Sequence, residues 1–387
     1  MGYVFPQKNK CCGCGMCSNI CPCSAIKMEQ DEEGFLYPSI NESLCNGCNL
    51  CRKLCSFQSL VLGEKQFSGS IFAVKHISDD IRYNSSSGGM FTAISDVILS
   101  KNGSIYGAAF NENMHLCHQK ATTINGRNQF RGSKYLQSET QKIFKSVKKD
   151  INDGLSVLFS GTPCQIAALR NYFIYKKIPT DKLILCDIVC HGVNSPKLFK
   201  DYIKYCNNPR MDRIVKEHLF RSKIKGWHAH TEVNIFYNGR IDYRSYKSQL
   251  WKKMFYSHLL LRPSCFQCPY TNLDRLSDMT LADYRGIENY LSSFDDDKGT
   301  SLVIVNTDKG KILFNACKDL LIYKQISLDV CMQPNMSKPS SYPLNRHAFW
   351  NEYFKKGFEG VCKKYFWTGG IGYIKRKLYL FIKSRKE

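Results

Sequence analysis

Two stretches decide how the chain is read: Cys11-Cys-Gly-Cys-Gly-Met-Cys-Ser-Asn-Ile-Cys21-Pro22 and Cys45-Asn-Gly-Cys-Asn-Leu-Cys-Arg-Lys-Leu-Cys55-Ser56. Each contains C-x2-C-x2-C-x3-C. Ten of the 20 cysteines fall within the first 55 residues, so the thiols are concentrated rather than scattered. In a reducing compartment such a concentration means metal ligation, not disulfides. Three thiolates two residues apart wrap one face of a cube, and a distant fourth closes it.

This spacing is that of a two-cluster bacterial ferredoxin, in which the fourth cysteine of each run ligates the other cluster. One 4Fe–4S cluster is expected on Cys11, Cys14, Cys17 and Cys55, the other on Cys45, Cys48, Cys51 and Cys21. Paired C-x2-C motifs also bind zinc, but zinc needs four ligands per site and has no reason to repeat a triplet-plus-one. Cys12 and Cys23 fall outside the ligand frame and read as packed thiols. Between the runs, Ile26–Met28 and Phe35–Tyr37 read as strands around an Asp31–Gly34 turn, a hairpin covering the clusters.

The chain has 387 residues, 43% hydrophobic and 23% charged, which suits two or three globular domains and excludes wholesale disorder. No apolar run reaches the roughly 18 residues of a membrane span. The first ten residues hold no apolar signal region, so a cytoplasmic protein is expected. The formal charge of +22 points to nucleic acid, anionic membrane or acidic partners. Each oxidised cluster with its four thiolates would offset it by about two charges. No nucleic-acid motif accompanies the charge, and nucleic acid is not expected as a partner.

From Ile71 the pattern alternates strand and helix. After a strand at Ile71–Lys75, the loop Asn84-Ser85-Ser86-Ser87-Gly88-Gly89 opens a helix from about Met90 to Ser100, and a strand follows at Ser104–Phe110. Such a loop either offers backbone N–H groups to a phosphate or is simply a loop. Strands at Ser156–Phe159 and Leu183–Val189 lead into Gly161-Thr-Pro-Cys164-Gln165 and Cys190-His191-Gly192. Ligands collect beyond the carboxyl ends of strands in α/β sheets, so these two thiols face one crevice on this reading. With Cys265 and Cys268 they make a four-thiolate set, each member of which also reads as a buried small hydrophobe.

Glu232–Tyr237, Asn238-Gly239 and Arg240–Tyr246 read as a hairpin with a type I′ turn. Met332–Pro343 reads as a linker. A helix over Asn345–Lys356 is expected to end at Gly357. The tail Val361–Glu387 is basic, with Ile371, Ile374 and Leu378 at helical spacing. It suits an anionic membrane surface or an acidic partner, and equally a solvated helix packed on its own domain.

These motifs together resemble the coenzyme F420 hydrogenase/dehydrogenase beta-subunit family, in the form fused to a two-cluster ferredoxin domain. The stretches that carry the resemblance include Ser85–Phe91, Arg131–Ser138, Phe159–Leu169, Cys186–Gly192, Ser264–Tyr270, Ser277–Gly286 and Asp295–Val303. The resemblance implies FAD and a third 4Fe–4S cluster in the body, the latter on Cys164, Cys190, Cys265 and Cys268. It implies FAD contacts at Ser85, Ser86, Ser87, Gly88, Gly89, Gly161, Thr162 and Gln165. Where many relatives carry Trp, this chain has Arg285, a departure beside the expected flavin or substrate. Short versions of the family are expected near surface-polysaccharide genes in anaerobic bacteria.

The expected fold is therefore a multidomain α/β (α+β) chain, a bacterial-type ferredoxin fold followed by a mixed α/β flavin-binding body. Its divisions are expected at 1–62 for the ferredoxin module, 67–150 and 151–331 for the two parts of the body, and 332–387 for linker and basic helices. The expected function is an oxidoreductase passing electrons among clusters, FAD and a reducible substrate or deazaflavin coenzyme. The alternative is an electron-transfer subunit that feeds a partner. A redox partner protein, ferredoxin or an enzyme subunit, is expected in either case. Because the unperturbed pKa of histidine lies near neutrality, His191 beside Cys190 is the candidate general acid.

Overall fold

The short strands between the two cysteine runs pair because Gly34, at φ +85°, closes the turn and donates its N–H to Asp31 O at 2.9 Å. The computed structural model describes residues 4–5, 7–58, 68–140 and 142–366. In it β1 (Ile26–Gln30) runs antiparallel to β2 (Leu36–Ile40), with Ile26 opposite Ile40. Helical turns at Met16–Ile20 and Leu50–Lys53 follow left-handed Gly15 and Asn49, which turn the chain between the second and third cysteines of each run. The hairpin's Ile26, Phe35 and Tyr37 bury against Val4 and Phe5 in a small core.

The body contributes β3 (Ser70–His76), β4 (Ser104–Phe110), β5 (Leu116–Ala121), β6 (Val157–Ser160) and β7 (Leu183–Ile188). After these come β8 (Val215–Ser222), β9 (Thr231–Phe236), β10 (Ile241–Asp242), β11 (Met279–Asp283), β12 (Ser301–Val305) and β13 (Leu321–Ile326). Eight strands form one mixed sheet in the order β13-β3-β12-β11-β7-β6-β4-β5, and β8–β10 form a second, three-stranded sheet. Four central strands are parallel, β4 beside β6, β6 beside β7 and β7 beside β11. The large sheet draws strands from both sides of residue 150.

Alternation along the strands separates two cores. Ile105, Leu158 and Cys186 face the Met90–Leu99 helix. Tyr106, Val157, Phe159 and Leu185 face the Ile143–Asn152 and Pro163–Tyr175 helices. Cys12, Cys14, Met16 and Ile20 belong to the second of these cores, so the front module shares apolar packing with the body.

Four expectations are corrected. The 236–240 turn is not type I′: Gly239 is left-handed but Asn238 is not, and Phe236 N–H bonds Arg240 O at 2.9 Å around a three-residue loop. The return strand stops at Asp242, because its carboxylate takes the N–H groups of Arg244 and Ser245 and bends the chain away. Gly357, at φ 66° and ψ −170°, breaks the Arg346–Tyr365 helix rather than ending it. The helix resumes because Phe358, Val361 and Cys362 bury against the Pro196–Cys206 helix. The 332–343 stretch is packed, not a free linker: Gln333, Asn335 and Met336 are buried, and Ser340 Oγ donates to His191 O at 2.7 Å. The basic helix expected beyond residue 366 lies outside the described residues.

Candidate functional site

The carboxyl ends of β6, β7 and β11 open onto one cavity of about 280 Å3, which is joined by the start of β12 and by the loop after β3. This is where an α/β sheet places its ligands. Of the residues singled out from sequence, Ser85, Ser86, Ser87, Gly89, Gly161, Thr162, Gln165 and His191 line it. Gly88 does not. It is wedged between β3 and β12, where a Cβ would stand 2.1 Å from Val74 O and 2.6 Å from Ser301 N, so this glycine serves packing.

The Ser85–Gly89 loop is held from several sides. Ser85 Oγ donates to Ile81 O at 2.7 Å and Ser87 Oγ to Thr300 O at 2.8 Å. Ser86 Oγ instead accepts from Ser133 N at 2.6 Å, and its own proton meets no acceptor among the described residues. Trp227 Nε1 and Lys223 Nζ grip the loop's carbonyls at Ser86 and Ser87. The Met90–Leu99 helix starts at left-handed Gly89 with no side-chain cap, so its first N–H groups point toward the cavity end.

The Gly161–Gln165 turn is a helix start. Thr162 is the N-cap, Pro163 supplies the first helical φ, and Gln165 Oε1 accepts from Thr162 N at 3.0 Å. This places Cys164 in the first turn of a 13-residue helix, 3.2 Å from Thr162 Oγ1. Cys164, Cys190, Cys265 and Cys268 come close enough to influence one another electrostatically. Burial pushes Cys265 up to about 11 and raises Cys190 and Cys268 further, whereas interaction with Cys12 draws Cys164 down.

Cys11, Cys14, Cys17 and Cys55 form a second mutually interacting group. Cys21, Cys45, Cys48 and Cys51 line a separate cavity of about 300 Å3, which Cys23 lines as well. The two front groups differ in exposure: Cys14 is buried, while Cys45 and Cys48 are exposed. Cys12 is a packed thiol between the sets, interacting with both Cys14 and Cys164. Ser56, standing where the first run has Pro22, is fully buried, and its carbonyl accepts from Tyr270 OH at 2.5 Å. Among the described residues no three cysteine sulfurs lie within 4.8 Å of one another. Zinc–sulfur bonds of about 2.3 Å would put them roughly 3.8 Å apart.

His191, the candidate general acid, lines the cavity but does not keep the pKa of a free histidine. Burial, then the Arg285 charge, pushes it down to about 4, so the ring is neutral at pH 7. His118, not singled out from sequence, also lines the cavity and is pushed down to about 4 by burial. Its Nε2 sits 3.0 Å from Ser160 O and its Nδ1 2.8 Å from Ser138 Oγ. Arg131 and Lys134 were also missed as site residues, although they lie in the Arg131–Ser138 stretch. Both line the cavity, and among the described residues buried Arg131 Nε has no partner. Arg285 is on the wall too.

The fold and these thiol sets define a cysteine-rich α/β protein with a strand-end cavity. Residues 154–327 match the family model for the C terminus of the coenzyme F420 hydrogenase/dehydrogenase beta subunit. The matched stretch runs from β6 to β13 and contains Cys164, Cys190, Cys265 and Cys268. The front cysteine runs lie outside the match. Among solved structures, the chain is similar to one in a xenon-derivatised F420-reducing [NiFe] hydrogenase complex from Methanosarcina barkeri. That similarity has a TM-score of 0.48 and 18% identity, over 78% of this chain and 94% of that one. No curated protein matches.

Proposed function

We propose that the chain is an FAD- and iron–sulfur-dependent oxidoreductase that moves electrons between a redox partner protein and a reducible small molecule or deazaflavin coenzyme. The observation that carries this reading is the gathering of twelve cysteines into three separate groups of four, each too widely spaced for one zinc ion. Two 4Fe–4S clusters would sit on the front groups and a third on Cys164, Cys190, Cys265 and Cys268. On this reading the front module and the body are functional divisions of the chain.

The strand-end cavity has what a flavin needs. Met90, Phe91, Leu116, Phe130 and Leu281 give it apolar walls. An uncapped helix start and Arg131 give it a cationic end suited to a pyrophosphate. Its volume, near the lower limit of ordinary ligand pockets, suits the flavin's ring system with the remainder toward the opening. When bound, a flavin exchanges one or two electrons and so links one-electron clusters to a two-electron substrate. Ser85–Gly89 would hold its phosphates, and the Gly161–Gln165 helix start would join the cavity wall to Cys164. Neutral His191 would offer a ring N–H or lone pair to the bound substrate.

Exposure of Cys45 and Cys48 favours the related reading that the outer front group meets a partner protein, as in an electron-transfer subunit without its own substrate. Anaerobic purification followed by iron, sulfide and flavin counts tests the proposal. It expects about twelve iron atoms and one FAD per chain. About eight iron atoms without flavin would leave the front module alone and remove the proposed role of the body.

A further inference from the structure

Arg262 precedes the Pro263–Gln267 turn that carries Cys265, yet its side chain reaches into the front module. It is fully buried. Nε donates to Cys11 O at 2.8 Å, Nη1 to Gln137 Oε1 at 2.9 Å and Nη2 to Leu36 O at 2.9 Å. Nη2 also lies 3.7 Å from Cys11 Sγ, and the guanidinium sits 4.1 Å from the Tyr37 ring centre. Gly13 makes room for it, since a Cβ there would stand 2.8 Å from Nη1.

Five other arginines with side chains less than a tenth exposed each meet a carboxylate: Arg82 with Asp296, Arg127 with Asp96, Arg221 with Asp283, Arg275 with Asp187, and Arg346 with Glu33. Arg262 does not. The groups that act on its charge are Cys11, Tyr37, Cys12 and Cys265. Removing a cation from water is strongly unfavourable unless an anion offsets it. Neutral carbonyls and an amide satisfy the N–H groups but leave the charge uncompensated.

We infer that Arg262 is the counter-cation of the Cys11 group and makes the cluster held there easier to reduce than the outer one. This deepens the proposed function and rests on its assignment of a cluster to Cys11, Cys14, Cys17 and Cys55. Reduction adds one electron and no proton, making the group more negative. A fixed positive charge in a dry site therefore favours the reduced form. The outer group's cation is Arg52, which lines its cavity and acts on Cys51, but Arg52 is exposed, as are Cys45 and Cys48, so water screens the charges there. Arg262 is a positioning and tuning residue. Its backbone belongs to the segment carrying Cys265, so it also pins the inner front group to the body.

The test is an anaerobic redox titration of the full chain with dithionite, read by electron paramagnetic resonance, the outer signal being assigned by its loss in Cys48→Ser. In Arg262→Gln the reduced-to-oxidised ratio of the inner cluster should fall about tenfold at a given potential, a shift of about 59 mV, with the outer midpoint unmoved. Arg262→Lys keeps the charge and should stay near the wild-type midpoint. An unmoved inner midpoint in Arg262→Gln, or equal shifts in the Gln and Lys proteins, would overturn the inference. If Arg262→Gln loses its iron, Gln137→Glu decides, because it neutralises the cation in place. A lowered inner midpoint then supports the role and an unmoved one ends it. The wild-type iron count separates this inference from its premise: no front iron removes the cluster assignment, whereas front iron with an unmoved midpoint removes only the role of Arg262.

Discussion

The front cysteine groups and the strand-end cavity are built by opposite means. In the front module, three of each four sulfurs come from seven consecutive residues, and one helical turn and two left-handed residues place them. The cavity takes its wall from residues as far apart as Ser85 and Gln333, assembled only when β3, β6, β7, β11 and β12 lie in register. A locally encoded site survives damage elsewhere, whereas a site made by sheet topology depends on every strand that borders it.

The sharpest test of that contrast is Cys164→Ser. Cys164 belongs to the body's set, yet Cys12 of the front module touches it. The substitution should remove about four of about twelve iron atoms and leave both front signals in place. Iron analysis with low-temperature resonance spectra would show this. Loss of front iron as well would mean that the two regions assemble as one unit.

The same contrast explains what the sequence disclosed. Fixed spacing made the front ligand groups and the β1–β2 hairpin legible, and strand-then-motif order placed Cys164, Cys190 and His191 at strand ends. Arg262 was silent: in Leu261-Arg-Pro-Ser-Cys265 nothing periodic marks a side chain that crosses to Cys11, 251 positions away. His118 stands mid-strand in β5, where only tertiary packing reveals that it faces the cavity. Asn238-Gly239 fits either a two- or a three-residue hairpin loop, since both place glycine in the left-handed region. Gly357 suits either a helix end or a break, and the buried side chains beyond it decide.

A smaller effect on the cavity side is pH dependence through His118. Burial lowers its folded pKa from 6.5 to about 4, so between those values the unfolded chain binds more protons. Stability is therefore full above about pH 6.5 and falls as pH drops toward 4. Between pH 7 and pH 5 the loss should be about 2 kcal/mol. Urea unfolding midpoints under argon, compared with His118→Gln, would show it as a steeper acid-side decline in the parent. Equal slopes would mean that His118 is solvated, and the body wall looser than its packing implies.

The smallest expected effect isolates one hydroxyl. Ser85 and Ser87 donate their protons to Ile81 O and Thr300 O, so replacing either would disturb the loop itself. Ser86 accepts from Ser133 N and keeps its proton for whatever enters the cavity. Ser86→Ala should cost about 1 kcal/mol, or about fivefold in the flavin dissociation constant. Fluorescence titration of the flavin-depleted protein would measure it, with front iron unchanged as the control. Unchanged flavin affinity would mean that this hydroxyl contributes nothing to binding, and that the helix start and Arg131 alone hold the anionic end.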